Sequence, residues 1–174
     1  MASSPYDIEK AVEAMTSLPF AESQEKAARD LLQYLSENLP PPPPVLPEAE
    51  CLIVMDTGLD GLLEALPKMV PAELQLKVAG KSCRRLSDVV SLLSASRPAA
   101  LVITANFFVG ACPEVIAALV ATNPDTRCLV LAGYEPFVRA FQRISDCLPS
   151  RVWVIEMPFS SVQLETALRE LKRD

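Results

Sequence analysis

From residue 49 onward the chain reads as a doubly wound, parallel α/β domain, and three observations predict it. Five short apolar runs are each bounded by proline, glycine or polar residues. They are continuous in Val, Ile, Leu and Ala rather than alternating with polar residues, as strands buried on both faces are. Helical periodicity separates them in regular alternation, and strands that alternate with helices form a parallel sheet with helices on both faces.

In chain order the strands are expected at Cys51–Met55, Leu74–Ala79, Ala100–Ala105, Cys128–Ala132 and Val152–Met157. The helices fall at Leu59–Leu66, at Asp88–Ala95 behind Ser87 as N-cap, and at Pro113–Ala121 and Pro136–Ile144, each with proline in its first turn. The last, Val162–Arg173, opens on a capping box at Ser160-Ser161-Val162-Gln163. In such a sheet a site lies at the carboxyl ends of the strands.

Leu39 to Pro47 reads LPPPPPVLP, where proline fixes φ and removes backbone donors. Neither helix nor sheet can pass, so residues 40–48 are a polyproline spacer between an acidic arm, 1–39, and the α/β domain, 49–174. The arm carries helical periodicity over Tyr6–Thr16, with Ile8, Val12 and Met15, and over Ala21–Asn38, with Ala27, Ala28, Leu31, Leu32 and Leu35. Two short amphipathic helices make no core alone and must pack on each other across a dimer, on the domain behind the spacer, or on a partner. The expected cover for Leu31, Leu32 and Leu35 is a partner or a second copy.

Composition narrows the function. Of 174 residues, 50% are hydrophobic, enough for one sizeable core. Residues 1–50 hold 9 acids and 3 bases, and residues 51–174 hold 13 of each, so the net charge of −6 belongs to the first segment. Neither part has the positive excess that a nucleic acid or an anionic membrane surface requires. No histidine is present, which removes the usual general base and the commonest metal ligand. The cysteines at 51, 83, 112, 128 and 147 are odd in number, form no CxxC pair and fit reduced thiols in a cytoplasmic protein. The apolar tract from Ala99 to Ala121 is interrupted by Asn106, Pro113 and Glu114, so no membrane insertion is expected.

The strand ends read Met55-Asp56-Thr57-Gly58, Ala79-Gly80, Thr104-Ala105-Asn106, Ala132-Gly133 and Glu156-Met157-Pro158. With the opening CLIVMD, the third strand AALVIT, the fourth CLVLAGY and the close VIEMPFSSVQLETALRELKR, the chain from 51 to 174 resembles a response-regulator receiver domain. The resemblance implies a flavodoxin-like strand order 2-1-3-4-5 and aspartyl phosphotransfer. That chemistry needs an acidic pair holding Mg²⁺, an acceptor Asp ending the third strand, a hydroxyl after the fourth, and a Lys after the fifth to neutralise developing charge.

Carried over position by position, the acidic pair falls on Met55 and Asp56, the acceptor on Thr104 or Ala105, the hydroxyl on Ala132 and the lysine on Met157. One carboxylate survives. The resemblance is therefore to a pseudo-receiver, with no catalytic residue, no metal and no cofactor. The family's switch aromatic falls on Val154, with Trp153 one place earlier. Asp56 also reads as an N-cap of the first domain helix. Asp56-Thr57-Gly58 matches an aspartic-protease triplet only without the second triplet and the all-β setting, and DTGLDG lacks the second Asp of a haloacid-dehalogenase-like loop. No Walker or GxGxxG loop follows a strand.

Two surfaces remain. Lys77, Lys81, Arg84 and Arg85 form a basic run that could dock acids, and Phe137, Val138, Phe141 and Ile144 spread over more than one face of their helix. The expected function is a non-enzymatic, phosphorylation-independent protein-interaction module in signalling or assembly. Its partners are proteins, a homodimer among the options, and its candidate contacts are Leu31, Leu32, Leu35, Phe137, Phe141, Trp153, Lys81, Arg84 and Arg85. The alternative is a small-ligand sensor with Asp56, Thr104, Asn106 and Gly133 lining the strand ends.

Overall fold

The computed structural model describes residues 22–38, 41, 50–56, 58–96, 98–104 and 125–172. The expected helices at Tyr6–Thr16 and Pro113–Ala121, most of the spacer, and Ala105 and Asn106 lie outside them. The described elements are α1 (Glu22–Glu37), β1 (Cys51–Asp56), α2 (Asp60–Met69), β2 (Val78–Cys83), α3 (Leu86–Ser96), β3 (Ala100–Thr104), β4 (Arg127–Ala132), α4 (Glu135–Cys147), β5 (Val152–Glu156) and α5 (Ser161–Lys172), with a 3-10 turn at Ala72–Leu74.

The five strands form one parallel sheet in the order β2-β1-β3-β4-β5, the expected flavodoxin-like arrangement. Its three inner strands are apolar along their length because both faces are covered. Cys51, Ile53 and Met55 of β1 join Val102, Leu129 and Leu131 under α2 and α5, where Leu66, Leu164, Leu168 and Leu171 are buried. Leu52 and Val54 join Leu101, Ile103 and Val130 under α3 and α4, where Val89, Leu92, Phe141 and Ile144 close the other core.

The second strand corrects the sequence reading. It runs Val78–Cys83, four residues beyond the expected start, while Leu74 sits in the 3-10 turn. β2 is an edge strand, half covered, with Gly80 and Lys81 exposed, so it lacks the continuous apolar run that marks its neighbours. Gly80 is consequently mid-strand, paired with Ile53, and not at the carboxyl edge. A Cβ at Gly80 would lie 2.9 Å from Leu63 Cδ1, so its absence lets α2 approach the sheet closely.

Helix starts were legible in two cases and misread in two: Pro136 stands in the first turn of α4 as expected. The capping box before α5 is formed in full: the Gln163 amide donates to Ser160 Oγ at 3.2 Å, and the Ser160 amide donates to Gln163 Oε1 at 2.8 Å. Ser87 does not cap α3, which begins at Leu86; instead Asp88 Oδ2 accepts from the Arg85 amide at 3.1 Å. Nor is Asp56 the N-cap of α2: that position is Leu59, without a side-chain bond, because three residues separate the strand end from the helix.

The arm helix α1 is 16 residues long and lies on the α3/α4 side of the sheet. Ala28, Leu32 and Leu35, spaced i, i+4, i+7, are 0%, 0% and 3% exposed, and Leu31 is half-buried against the same core. The rest of its described surface is exposed, Tyr34 by 60%. The expectation that Leu31, Leu32 and Leu35 need a partner or a second copy for cover is thus corrected, since the domain behind the spacer supplies an apolar sheet face. α1 ends sharply, with the Asn38 amide donating to Leu35 O at 3.2 Å and Asn38 Nδ2 to Tyr34 O at 2.8 Å.

Candidate functional site at the carboxyl edge

The carboxyl edge is where receiver-like chemistry would sit. β1 closes at Asp56, whose backbone pairs with Cys83 of β2. The residue before it, Met55, is fully buried in the α2/α5 core. β3 closes at Thr104, in register with Leu131 and fully buried, and its Oγ1 has no hydrogen-bond partner among the described residues. A buried unpaired hydroxyl costs about 1–3 kcal/mol, so Thr104 is a polar atom held where apolar packing would be cheaper.

β4 and β5 meet at the same edge. The Met157 amide donates to Ala132 O at 2.8 Å, which brings the Met157 side chain over Gly133; a Cβ on Gly133 would lie 3.5 Å from Met157 Cε. Ala132 is fully buried and Met157 half-buried. A methyl group donates no hydrogen bond and a thioether carries no charge, so these two positions offer nothing to a phosphoryl oxygen. The structure brings Ala132 and Met157 together and seats Met55 and Thr104 at the ends of adjoining strands. Ala105 and Asn106 lie outside the described residues. A magnesium ion bound as in a receiver would need carboxylates where Met55 and Thr104 stand, so the residues present do not fit one.

The candidate contact residues divide. Phe141 is fully buried, and with Ile144 it belongs to the core; the reading of Phe141 as an interface residue is corrected, because Phe137, Phe141 and Ile144 follow i, i+4, i+7 and share the inward stripe of α4. Phe137 is half-buried at the start of that stripe and meets Tyr134 edge to face, ring centroids 5.3 Å apart. Trp153 is half-buried against the α2/α5 core. Lys81, Arg84 and Arg85 are exposed, Lys81 within β2 and the two arginines just past its end, where Arg85 Nε lies 3.7 Å from Asp88 Oδ2.

Sequence reasoning missed a rim. Tyr134 is 61% exposed and Val162 69% exposed, and Phe159 is half-buried on the loop between Met157 and Val162. The loops after β4 and β5 meet at Gly133 and Met157, and Tyr134, next to Gly133, meets Phe137, so Met157, Tyr134 and Phe137 give the carboxyl edge an apolar border. Aromatic residues placed directly after two strand ends were the available signal.

Among the described thiols, Cys51, Cys83 and Cys128 are free and buried. Burial pushes Cys51 from its ordinary 9.0 up to about 11 and Cys128 up to about 12. Cys83 rises to about 11 through burial first and the Asp88 charge second, against a lowering by Lys81. Among the described residues no group of three His, Cys, Asp or Glu side chains is placed to hold a metal ion, and no helix is long and apolar enough to cross a membrane.

No family model and no curated protein sequence matches the chain. Among solved structures, the chain is similar to a Burkholderia pseudomallei protein described as pilus assembly-related, with a TM-score of 0.51 and 18% sequence identity. The match covers 71% of this chain and 90% of that one. At that identity the likeness concerns the fold.

Proposed function

We propose that the chain is a phosphorylation-independent pseudo-receiver: a non-enzymatic protein-interaction module whose carboxyl edge is an apolar contact surface. The observation that carries this reading is the replacement of every charge-handling position but Asp56 at that edge, with Met55, Thr104 and Ala132 buried and Met157 folded over Gly133. The exposed Tyr134 and Val162 beside it supply the aromatic and aliphatic area that protein contacts use. The likeness to a protein described as pilus assembly-related supports an assembly role over a purely signalling one.

Incubation with acetyl phosphate and Mg²⁺, read by intact mass, tests the reading. The expected result is no added phosphoryl group and no gain in thermal stability from millimolar Mg²⁺; a single added phosphoryl lost on Asp56→Ala overturns it. A protein partner captured on the wild-type chain is expected to bind equally before and after that treatment and to be lost when Tyr134 and Val162 both become Asp.

A second reading, a small-ligand sensor, is favoured by one observation, the unpartnered hydroxyl of Thr104 at the strand ends. A ligand that reached it would satisfy a buried donor. Ligand-dependent stabilisation lost in Thr104→Val distinguishes the two readings.

A further inference from the structure

The carboxyl end of β2 and the start of α3 carry cations on a fixed backbone. Lys81, Arg84 and Arg85 are exposed, whereas Cys83 and Leu86 beside them are buried in the α3/α4 core. Ser82 and Cys83 are paired with Met55 and Asp56 of β1, and the Arg85 amide donates to Asp88 Oδ2 at 3.1 Å. The two buried side chains thus anchor this corner and leave its cations turned to solvent. A surface ordered before binding loses less conformational entropy when a partner arrives.

These charges are barely neutralised from within the domain. Elsewhere Arg139 pairs with Glu135, and Arg169 pairs with Glu73 and with Glu165, each at 2.7 Å. Lys81 and Arg84 have no ion-pair partner among the described residues. Arg85 has a loose one, its Nε 3.7 Å from Asp88 Oδ2 and its side chain 75% exposed. No acid stands between Lys77 and Arg85 in the chain. Glu50 Oε2 accepts from the Lys77 amide at 3.2 Å, which holds that carboxylate at the opposite end of the strand.

We propose that this corner, Lys81, Arg84 and Arg85, docks an acidic segment of a protein partner. The occupant follows from charge complementarity and span. From Lys81 to Arg84 the backbone advances ~10 Å at ~3.3 Å per residue, so carboxylates three residues apart on an extended segment, or two turns apart on a helix, meet both cations. A guanidinium fork takes a carboxylate through two parallel bonds, which favours discrete acids over a diffuse field. A nucleic acid fits less well. Its attraction grows with the number of phosphates neutralised, and this corner offers three cations on a chain whose net charge is −6.

This inference does not rest on the loss of phosphotransfer: a phosphoryl gained from acetyl phosphate would refute the pseudo-receiver and leave the basic corner untouched. The test is fluorescence anisotropy of a labelled peptide of alternating Glu and Ser, titrated with the full chain, beside a Gln-Ser peptide and an oligothymidylate of the same length. The Glu-Ser peptide is expected to bind at about 50 mM salt and to be largely released at about 300 mM, and the Gln-Ser peptide to stay free. Lys81→Glu with Arg84→Glu is expected to weaken binding about tenfold, through two lost charge contacts and two new repulsions, and Arg84→Gln alone about threefold. Lys68→Glu with Arg143→Glu, an equal change of net charge at exposed positions elsewhere, is expected to change it less than about twofold. An equal loss in both double variants assigns the binding to net charge and overturns the proposal. So does a wild type that leaves the Glu-Ser peptide free at about 1 mM chain in low salt, or one that binds the oligothymidylate more tightly than the peptide.

Discussion

Leu32→Ala is the perturbation that reads the arm most directly. Leu32 is fully buried and sits centrally in the seam between Ala28 and Leu35. Removing a buried leucine costs ~2–5 kcal/mol, and a helix held by one seam can shift to fill part of the void, which places the expected loss near the lower end, about 2–3 kcal/mol. A ceiling follows from the same geometry. Burying a leucine contributes ~1.5–3 kcal/mol, so two leucines and an alanine hold α1 with roughly 4–6 kcal/mol before the entropy of ordering the arm is deducted. Once the arm is released, further seam substitutions add nothing, and Leu32→Ala with Leu35→Ala is expected to cost less than the sum of the two.

For a chain of this size each kcal/mol moves Tm by ~2–4 °C, so Leu32→Ala is expected to lower it by about 5–10 °C. Circular-dichroism melts at one fixed protein concentration measure this, and brief trypsin treatment reports the arm through its exposed Lys26 and Arg29. Tyr34→Ala, on the exposed face of the same helix, serves as the control and is expected to change little. A melt within about 1 °C of wild type, with the arm still resistant to trypsin, would refute the claim that this seam fastens the arm.

The buried thiols give a pH signature. Each has a folded pKa above its unfolded value, so the stability they contribute is fully present below pH 9.0 and is lost as pH rises toward about 11 for Cys51 and Cys83 and about 12 for Cys128. Alkylation of these three at pH 8 is expected to follow unfolding and not thiol ionisation, and rapid modification of the native protein would contradict the burial. At α5, Ser160→Ala removes the acceptor of the Gln163 amide and is expected to cost about 1 kcal/mol, with Ser160→Gly milder; denaturant midpoints at constant m-value check it.

The fold class was legible because its evidence is redundant. β1, β3 and β4 are covered on both faces, and any one of CLIVMD, ALVIT or RCLVLA announces this by leaving no polar residue on either side of its centre. β2 carries Gly80, Lys81 and Ser82 because one edge of it faces water, and the apolar Leu74 and Leu76 just upstream drew the expected strand toward a turn. The arm was half legible. A stripe at 28, 32 and 35 says that something covers it, and periodicity carries no information about which surface does. The dismantled edge was legible through position alone, since Ala132 and Met157 are unremarkable until Gly133 and the Met157 amide show them side by side. Tyr134 was signalled by its place just after β4, whereas the exposure of Val162 in the first turn of α5 left no mark in the sequence.

The sheet edges narrow how this domain can associate. The Cys128 amide donates to Arg151 O at 2.7 Å and the Met157 amide to Ala132 O at 2.8 Å, so by the two-residue period of a strand Arg151, Trp153, Ile155 and Met157 turn their backbone groups toward β4. Val152 and Val154 turn theirs outward. Val152 is already occupied: its amide donates to Leu148 O at 3.2 Å, and its carbonyl accepts from Ser145 Oγ at 2.7 Å. A sixth strand added at β5 would have to displace both bonds at the end of α4 or pair with Val154 and Glu156 alone, too short a ladder to hold a partner. At the opposite edge, β2 has a glycine and a lysine at its centre, the residues that discourage edge-to-edge pairing. Association through backbone ladders is thereby disfavoured on both sides of the sheet. What remains is contact between side chains, for which Tyr134 and Val162 offer exposed apolar area.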